Sequence, residues 1–188
     1  MKLETKDLLT GDEISSKEFL ELIDFSIKLK EENKTVKGKQ LLENKTLAML
    51  FEKPSTRTRV SFEAGMKQLG GHTIILSLNE MQYSRGESVE DTAKTLSGYV
   101  DGIVARVYEH SFIEDLAKHA TVPVINGLSN SYHPCQTLAD FMTIKEHKKK
   151  FKDIKIAWIG DGNNVCNSLI FGCSKTQTDI VIATPKGF

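Results

Sequence analysis

Ser55, Thr56, Arg57, Thr58 and Arg59 put three hydroxyls and two guanidinium groups into five consecutive residues, directly after Phe51-Glu52-Lys53-Pro54. They lie between a short apolar run and a helical pattern. A helix start offers unpaired backbone N–H groups and the positive end of the helix dipole. Hydroxyls and guanidinium groups at such a place suit a phosphate. An N-capped surface helix with a charged first turn would use the same residues. A second group is His133-Pro134-Cys135-Gln136. Pro134 suits the first helical position, which puts His133 at the cap and Gln136 one turn into the helix. An imidazole and a carboxamide there could polarise a carbonyl and hold an amide; a purely structural cap is the plainer reading. Arg106 interrupts the apolar run 103–107. A buried arginine needs a partner, so it meets either a ligand or a carboxylate.

Two further segments carry weaker signals. The polar loop around Gln82, from Met81 to Ser88, reads as an exposed connection, with Ser88 and Asp91 as a helix-start signal. Gly160-Asp161-Gly162-Asn163-Asn164 resembles a dinucleotide-binding turn, but Val165 stands where the third glycine belongs. Paired carboxamides at a helix start could instead bind a carboxylate or an amine.

These groups need elements to position them. Ser15 to Glu18 open a helical pattern with Phe19, Leu22, Ile23 and Ile27 on one face, ended by the polar stretch 31–40. Apolar runs at 46–51, 72–78, 102–108 and 122–126 then alternate with helical stretches, including 88–99, 111–119 and one from Pro134 toward His147. Continuous apolar strands alternating with helices predict an α/β fold, a parallel sheet with helices on both faces. A strand at 154–159, a helix at 165–175 and a strand at 179–184 make a further βαβ unit. Such a unit presents an open sheet edge and cannot bury its own faces. It is expected to begin an incomplete second α/β domain, or to rest on something outside this sequence. The expected organisation is therefore one domain over residues 1–150 and the start of another over 151–188.

Composition excludes several function classes. The 25 Lys and Arg balance the 25 Asp and Glu, so no overall field draws in nucleic acid or an anionic membrane. Lys148-Lys149-Lys150 reads as a solvated helix end, where cations are favoured. Three scattered cysteines make neither a disulfide framework nor a zinc site. No run approaches the roughly 18 apolar residues of a membrane span, nor does the N-terminus carry a signal-peptide core. The expectation is a cytoplasmic protein with no metal.

As a set these motifs resemble the aspartate/ornithine carbamoyltransferase family. The segment Ser55–Arg59 is similar to its carbamoyl-phosphate signature, and Arg106 and His133-Pro134-Cys135-Gln136 follow in family order and spacing. The ornithine-using branch is matched by Phe51-Glu52-Lys53-Pro54, Gln82 with Arg85-Gly86-Glu87-Ser88, Leu138-Ala139-Asp140, and Gly160-Asp161-Gly162-Asn163-Asn164-Val165. The resemblance implies that Ser55, Thr56, Arg57 and Thr58 hold the phosphate and that Arg106 spans phosphate and carbonyl oxygens. Thr58, Arg106 and His133 would polarise the carbonyl, and Gln136 would bind the NH2 group. Gln82 would reach a neighbouring subunit's carbamoyl phosphate in a homotrimer. Asn164, with Asn163 second, would contact L-ornithine. The implied reaction gives L-citrulline and phosphate, a step of arginine biosynthesis or urea-cycle type, without a cofactor. The resemblance also implies that more than a hundred residues of the second domain are missing, leaving little turnover in 188 residues. Another amine acceptor, or an anion-binding module without turnover, are the alternative readings.

Overall fold

A computed structural model describes residues 3–35 and 40–187. Helix α1 (Ser16–Thr35) starts from a reciprocal cap: the Glu18 carboxylate accepts from the Ser15 N–H at 2.8 Å, and the Glu18 N–H donates back to Ser15 Oγ at 3.2 Å. Of the polar stretch expected to end this helix, residues 36–39 lie outside the described residues.

Four strands, β1 (Thr46–Phe51), β2 (His72–Ser77), β3 (Gly102–Arg106) and β4 (Val124–Leu128), form one parallel sheet in the order β2-β1-β3-β4. Helices α2 (Thr56–Gln68), α3 (Val89–Ser97) and α4 (His110–His119) make the crossovers, and a short 3-10 helix (Gln82–Arg85) precedes α3. Side chains alternate across each strand. Ala48, Leu50, Ile103 and Ala105 accordingly point into one core with Phe112, Ile113 and Leu116 of α4, while Leu47, Met49 and Val104 point to the other face, against Met66 of α2. Both faces are covered, as continuous apolar strands require.

Strand β4 is displaced from its expected place at 122–126. Pro123 has no N–H for the ladder, so pairing starts at Val124 and continues to Leu128. Between β3 and β4 the register jumps from Ala105↔Asn126 to Arg106↔Leu128, which leaves Gly127 as a bulge. A Cβ on Gly127 would come to 3.0 Å of a Val104 methyl and 3.2 Å of the Ala105 carbonyl oxygen, so any side chain there would crowd the bulge. The outer side of β4 is closed by the N-terminal segment, with no sequence signal for it. Leu8 donates to the Val124 carbonyl at 2.9 Å and accepts from the Asn126 N–H at 2.8 Å.

After α5 (Pro134–Lys148) the chain makes β5 (Lys155–Ile159), α6 (Asn164–Thr176) and β6 (Asp179–Ala183), with β5 and β6 parallel. This unit rests on the chain's own helices. Leu169 and Cys173 of α6 share a buried cluster with Phe19 and Ile23 of α1 and Phe141 of α5, and Ile156, Trp158 and Ile180 pack against it. Gly172 permits the close α5–α6 approach: a Cβ there would run into the Phe141 ring and meet the Thr137 methyl at 2.6 Å. The opposite face of β5–β6 is open, with Ile159 85% and Val181 53% exposed. One face is thus covered from within this sequence, by α1, α5 and α6, where a partner outside it was the alternative expected, and the other face is bare.

Candidate anion site

The parallel sheet aims the carboxyl ends of β1, β3 and β4 at one rim, where ligands of such sheets gather. At the end of β1 the chain turns into α2. Ser55 takes the N-cap in extended conformation, and its hydroxyl accepts from the Thr58 N–H at 3.3 Å. The first turn of α2 carries no acidic residue, so the dipole end is open to an anion. Thr56 and Arg57 are exposed there.

Arg106 lies opposite Phe51 in the β1–β3 register, at the same rim. Its Nη1 donates to Thr58 Oγ1 at 2.9 Å, and its buried Nε has no partner. No carboxylate pairs with it among the described residues, so the expected alternative of a structural ion pair is not seen there. Burial and then the Arg57 charge work against the charged guanidinium. A partly buried, unpaired cation beside a second cation is a place that an anion would stabilise. Nearby, the Tyr108 N–H donates to the Glu52 carboxylate at 2.6 Å, and Lys53 Nζ sits 4.3 Å from the Tyr108 ring centroid. Burial, then Arg106, lowers the Lys53 pKa.

His133 is the N-cap residue of α5 with Pro134 at the first helical position. Its side chain makes no capping bond, and its buried Nδ1 is unpartnered. Burial, and then the Arg106 charge, hold its pKa down to about 4, so the ring is neutral at pH 7. Gln136 is on the next turn, and its Nε2 donates to Asp140 Oδ1 at 2.9 Å. That bond engages the amide nitrogen of Gln136. The i, i+4 spacing of Gln136 and Asp140 is the sequence signal for this contact. Burial raises the Asp140 pKa. Burial pushes the Cys135 thiol up to about 12, which disfavours its thiolate.

Thr56, Arg57, Thr58, His133 and Gln136 line one open cleft of about 510 Å³. The remaining expected site residues lie apart or are engaged. Gln82 is exposed on its 3-10 helix and makes no side-chain hydrogen bond among the described residues. Asn163 caps α6, accepting from the Val165 and Cys166 N–H groups at 3.0 and 3.3 Å. Asn164 Nδ2 donates to the Ser129 carbonyl at 2.6 Å. Among the described residues no group of three or more His, Cys, Asp and Glu side chains could hold a metal ion, and no helix is long and apolar enough to cross a membrane.

Residues 6–146 match the model of the aspartate/ornithine carbamoyltransferase carbamoyl-P binding domain, and residues 152–188 match that of the Asp/Orn binding domain. The chain belongs to the aspartate/ornithine carbamoyltransferase family. Among carbamoyltransferases it is 58% identical over 188 residues to the ornithine carbamoyltransferase of Cenarchaeum symbiosum and 54% identical over 187 residues to that of Bacillus thuringiensis. All of this chain is covered in both comparisons, with 62% and 58% of the relatives. The chain therefore spans about three fifths of their length. The solved ornithine carbamoyltransferase of Pyrococcus furiosus superposes with a TM-score of 0.96 at 50% identity, covering 100% of this chain and 60% of that one. That of Thermus thermophilus gives 0.93 at 43% identity, over 98% of this chain and 63% of the other.

Proposed function

We propose that the chain carries the carbamoyl-phosphate side of an ornithine carbamoyltransferase. The observation that carries this reading is the Arg106–Thr58 hydrogen bond, formed at the N-terminus of α2 beside a neutral His133 with an unpartnered ring nitrogen. In this reading Ser55, Thr56, Arg57 and Thr58 hold the phosphate with the α2 N–H groups. Arg106, Thr58 and His133 are the catalytic donors to the carbamoyl oxygen, and the oxygen of Gln136, whose nitrogen Asp140 engages, accepts from the carbamoyl NH2. The neutral δ-amine of L-ornithine attacks the carbonyl carbon. The C–N bond forms, the C–O bond to phosphate breaks, and the amine's surplus proton leaves with phosphate or solvent. Donors fixed on the developing oxyanion are the main contribution, each worth about 10²–10³ in rate. A neutral imidazole serves as such a donor without first losing a charge.

Residues 1–150 would form the carbamoyl-phosphate domain and 151–188 the beginning of the acceptor domain, with Asn164 and Asn163 on the ornithine side. The reaction would yield L-citrulline in arginine biosynthesis or a urea-cycle type step, in the cytoplasm. The working form would be a homotrimer in which Gln82 reaches a neighbour's site. The 54–58% identity to proteins named for ornithine favours that amine over another acceptor. One observation favours anion binding without turnover by these 188 residues: both asparagines are engaged in bonds within the chain.

Calorimetry with carbamoyl phosphate tests the reading. Binding should be measurable, and Arg57→Ala should weaken it at least about tenfold, the loss of one charge-assisted contact of about 1.5 kcal/mol or more. A chain that binds neither carbamoyl phosphate nor phosphate would sink it. Citrulline formation by protein of verified 21.0 kDa mass then separates a complete catalyst from a half-site.

A further inference from the structure

The segment 129–133, which delivers His133 to the cleft, is held from two sides. From the first unit, Ser129 Oγ lies 2.9 Å from Nδ1 of the buried His110, and the Asn130 N–H donates to the Tyr108 carbonyl at 2.7 Å. From the second unit, three consecutive side-chain contacts come from one face of α6. Asn164 Nδ2 donates to the Ser129 carbonyl at 2.6 Å, and Asn167 Nδ2 to the Ser131 carbonyl at 3.1 Å. Ser168 Oγ accepts the His133 N–H at 2.8 Å. Residues 164, 167 and 168 are spaced i, i+3, i+4, the spacing of one helical face. Ser168 is 1% exposed, so water does not readily take its place. The His133 N–H precedes the first turn of α5 and has no helical acceptor, which makes Ser168 its partner.

We propose that Ser168 is a positioning residue for His133, with Asn164 and Asn167 fixing the preceding loop, so that α6 shapes the anion site of the other unit. This rests on the reading of His133 as part of that site. The pin acts on the backbone of the residue that carries the imidazole. A displaced cap would swing the ring out of its half-buried place and away from Arg106. The groups that share its cleft or bear on its charge are Arg106 from β3, Arg57 and Thr58 from α2, and Gln136 on its own helix. The side chains that α6 places on this loop are uncharged, so its influence on the ring is one of position.

The ring's own titration reports that position. Histidine NMR on the 188-residue chain, with His133 assigned among the five histidines by its loss in His133→Gln, gives the readout. The wild-type ring should stay neutral down to about pH 4. Ser168→Ala should raise its proton affinity by about tenfold or more, a change of roughly one pH unit in midpoint. Ser168→Thr, which keeps the acceptor oxygen, should restore the low value. If Ser168→Ala does not fold, the half-exposed Asn167→Ala should move the same midpoint upward. His133 titrating as in the wild type in both alanine variants would overturn the proposal. So would a folded Ser168→Thr protein that behaves like Ser168→Ala. Phosphate calorimetry on the wild type is a separate arm. An absence of binding, together with a shifted His133 midpoint, would remove the anion-site reading and leave the positioning role standing.

Discussion

His133 is uncharged at neutral pH because burial, and then Arg106, hold its pKa down to about 4. A histidine whose folded pKa lies below its unfolded value of about 6.5 binds fewer protons in the native state than in the unfolded one between those limits. Its contribution to stability is therefore fully present above pH 6.5 and is lost as the pH falls toward 4. His110, also lowered by burial, acts in the same direction, while Asp140, raised by burial, opposes both at the acid end. His133→Gln should flatten the fall in stability between pH 7 and pH 5, read from urea unfolding at each pH. An unchanged slope would mean that the ring is not held as described. Asp140 supports a second test. If it turns the Gln136 oxygen toward a carbamoyl NH2, Asp140→Asn should weaken carbamoyl phosphate more than inorganic phosphate, which has no such group. Equal losses by calorimetry would assign Asp140 to packing alone. The cluster at the start of α2 was legible in the sequence because hydroxyls and guanidinium groups stand side by side there. Ser168 was not, because a single serine in an apolar helix carries no signal until the fold brings it to His133 from 35 residues away.

At the scale of elements, alternation of apolar runs with helical patterns revealed β1, β2, β3, β5 and β6 to within a residue or two. The misplaced strand, β4, shows what pattern reading misses. Its apolar run starts at Val122, but hydrogen-bond chemistry excludes Pro123 and a bulge at Gly127 carries the strand to Leu128. The bridge contributed by Leu8 was invisible, since a single bridge makes no run. The α5–α6 crossing was equally hidden, because it depends on Gly172 meeting Phe141 and Thr137, far apart in sequence. Two effects compete when Gly172 becomes alanine. Helix propensity improves by about 1 kcal/mol, while forcing a methyl into a filled contact costs about 1–3 kcal/mol. The clash is with a ring and a β-branched methyl held in the core, so the cost should win. Gly172→Ala should lower the urea midpoint with an unchanged m-value. Since α6 also pins His133, the same variant should raise that histidine's proton affinity. A higher midpoint would mean that Phe141 moves aside easily.

For the whole molecule the asymmetry of the β5–β6 layer matters most. Its inner side chains Ile156, Trp158 and Ile180 join the α1–α5–α6 cluster, and its outer side exposes Ala157, Ile159, Val181 and Ala183. Ile159 at 85% and Val181 at 53% exposure stand on neighbouring strands of that outer side. A two-stranded sheet has two free edges, and unpaired edges beside apolar side chains favour association between chains. Net charge is zero at pH 7, so little repulsion opposes it. The 188-residue chain should therefore self-associate as its concentration rises, through this layer rather than through the anion cleft. Ile159→Lys with Val181→Lys should reduce that association in sedimentation measurements. Both positions face solvent, so thermal stability should change by no more than about 0.5 kcal/mol. Carbamoyl-phosphate binding should be unaffected, because the cleft lies at the carboxyl ends of β1, β3 and β4 and its contacts to α6 run through Asn164, Asn167 and Ser168. Association that persists undiminished in the double variant would place the sticky surface elsewhere. Loss of anion binding with the fold intact would show that the outer layer reaches the site by a route other than the α6 face.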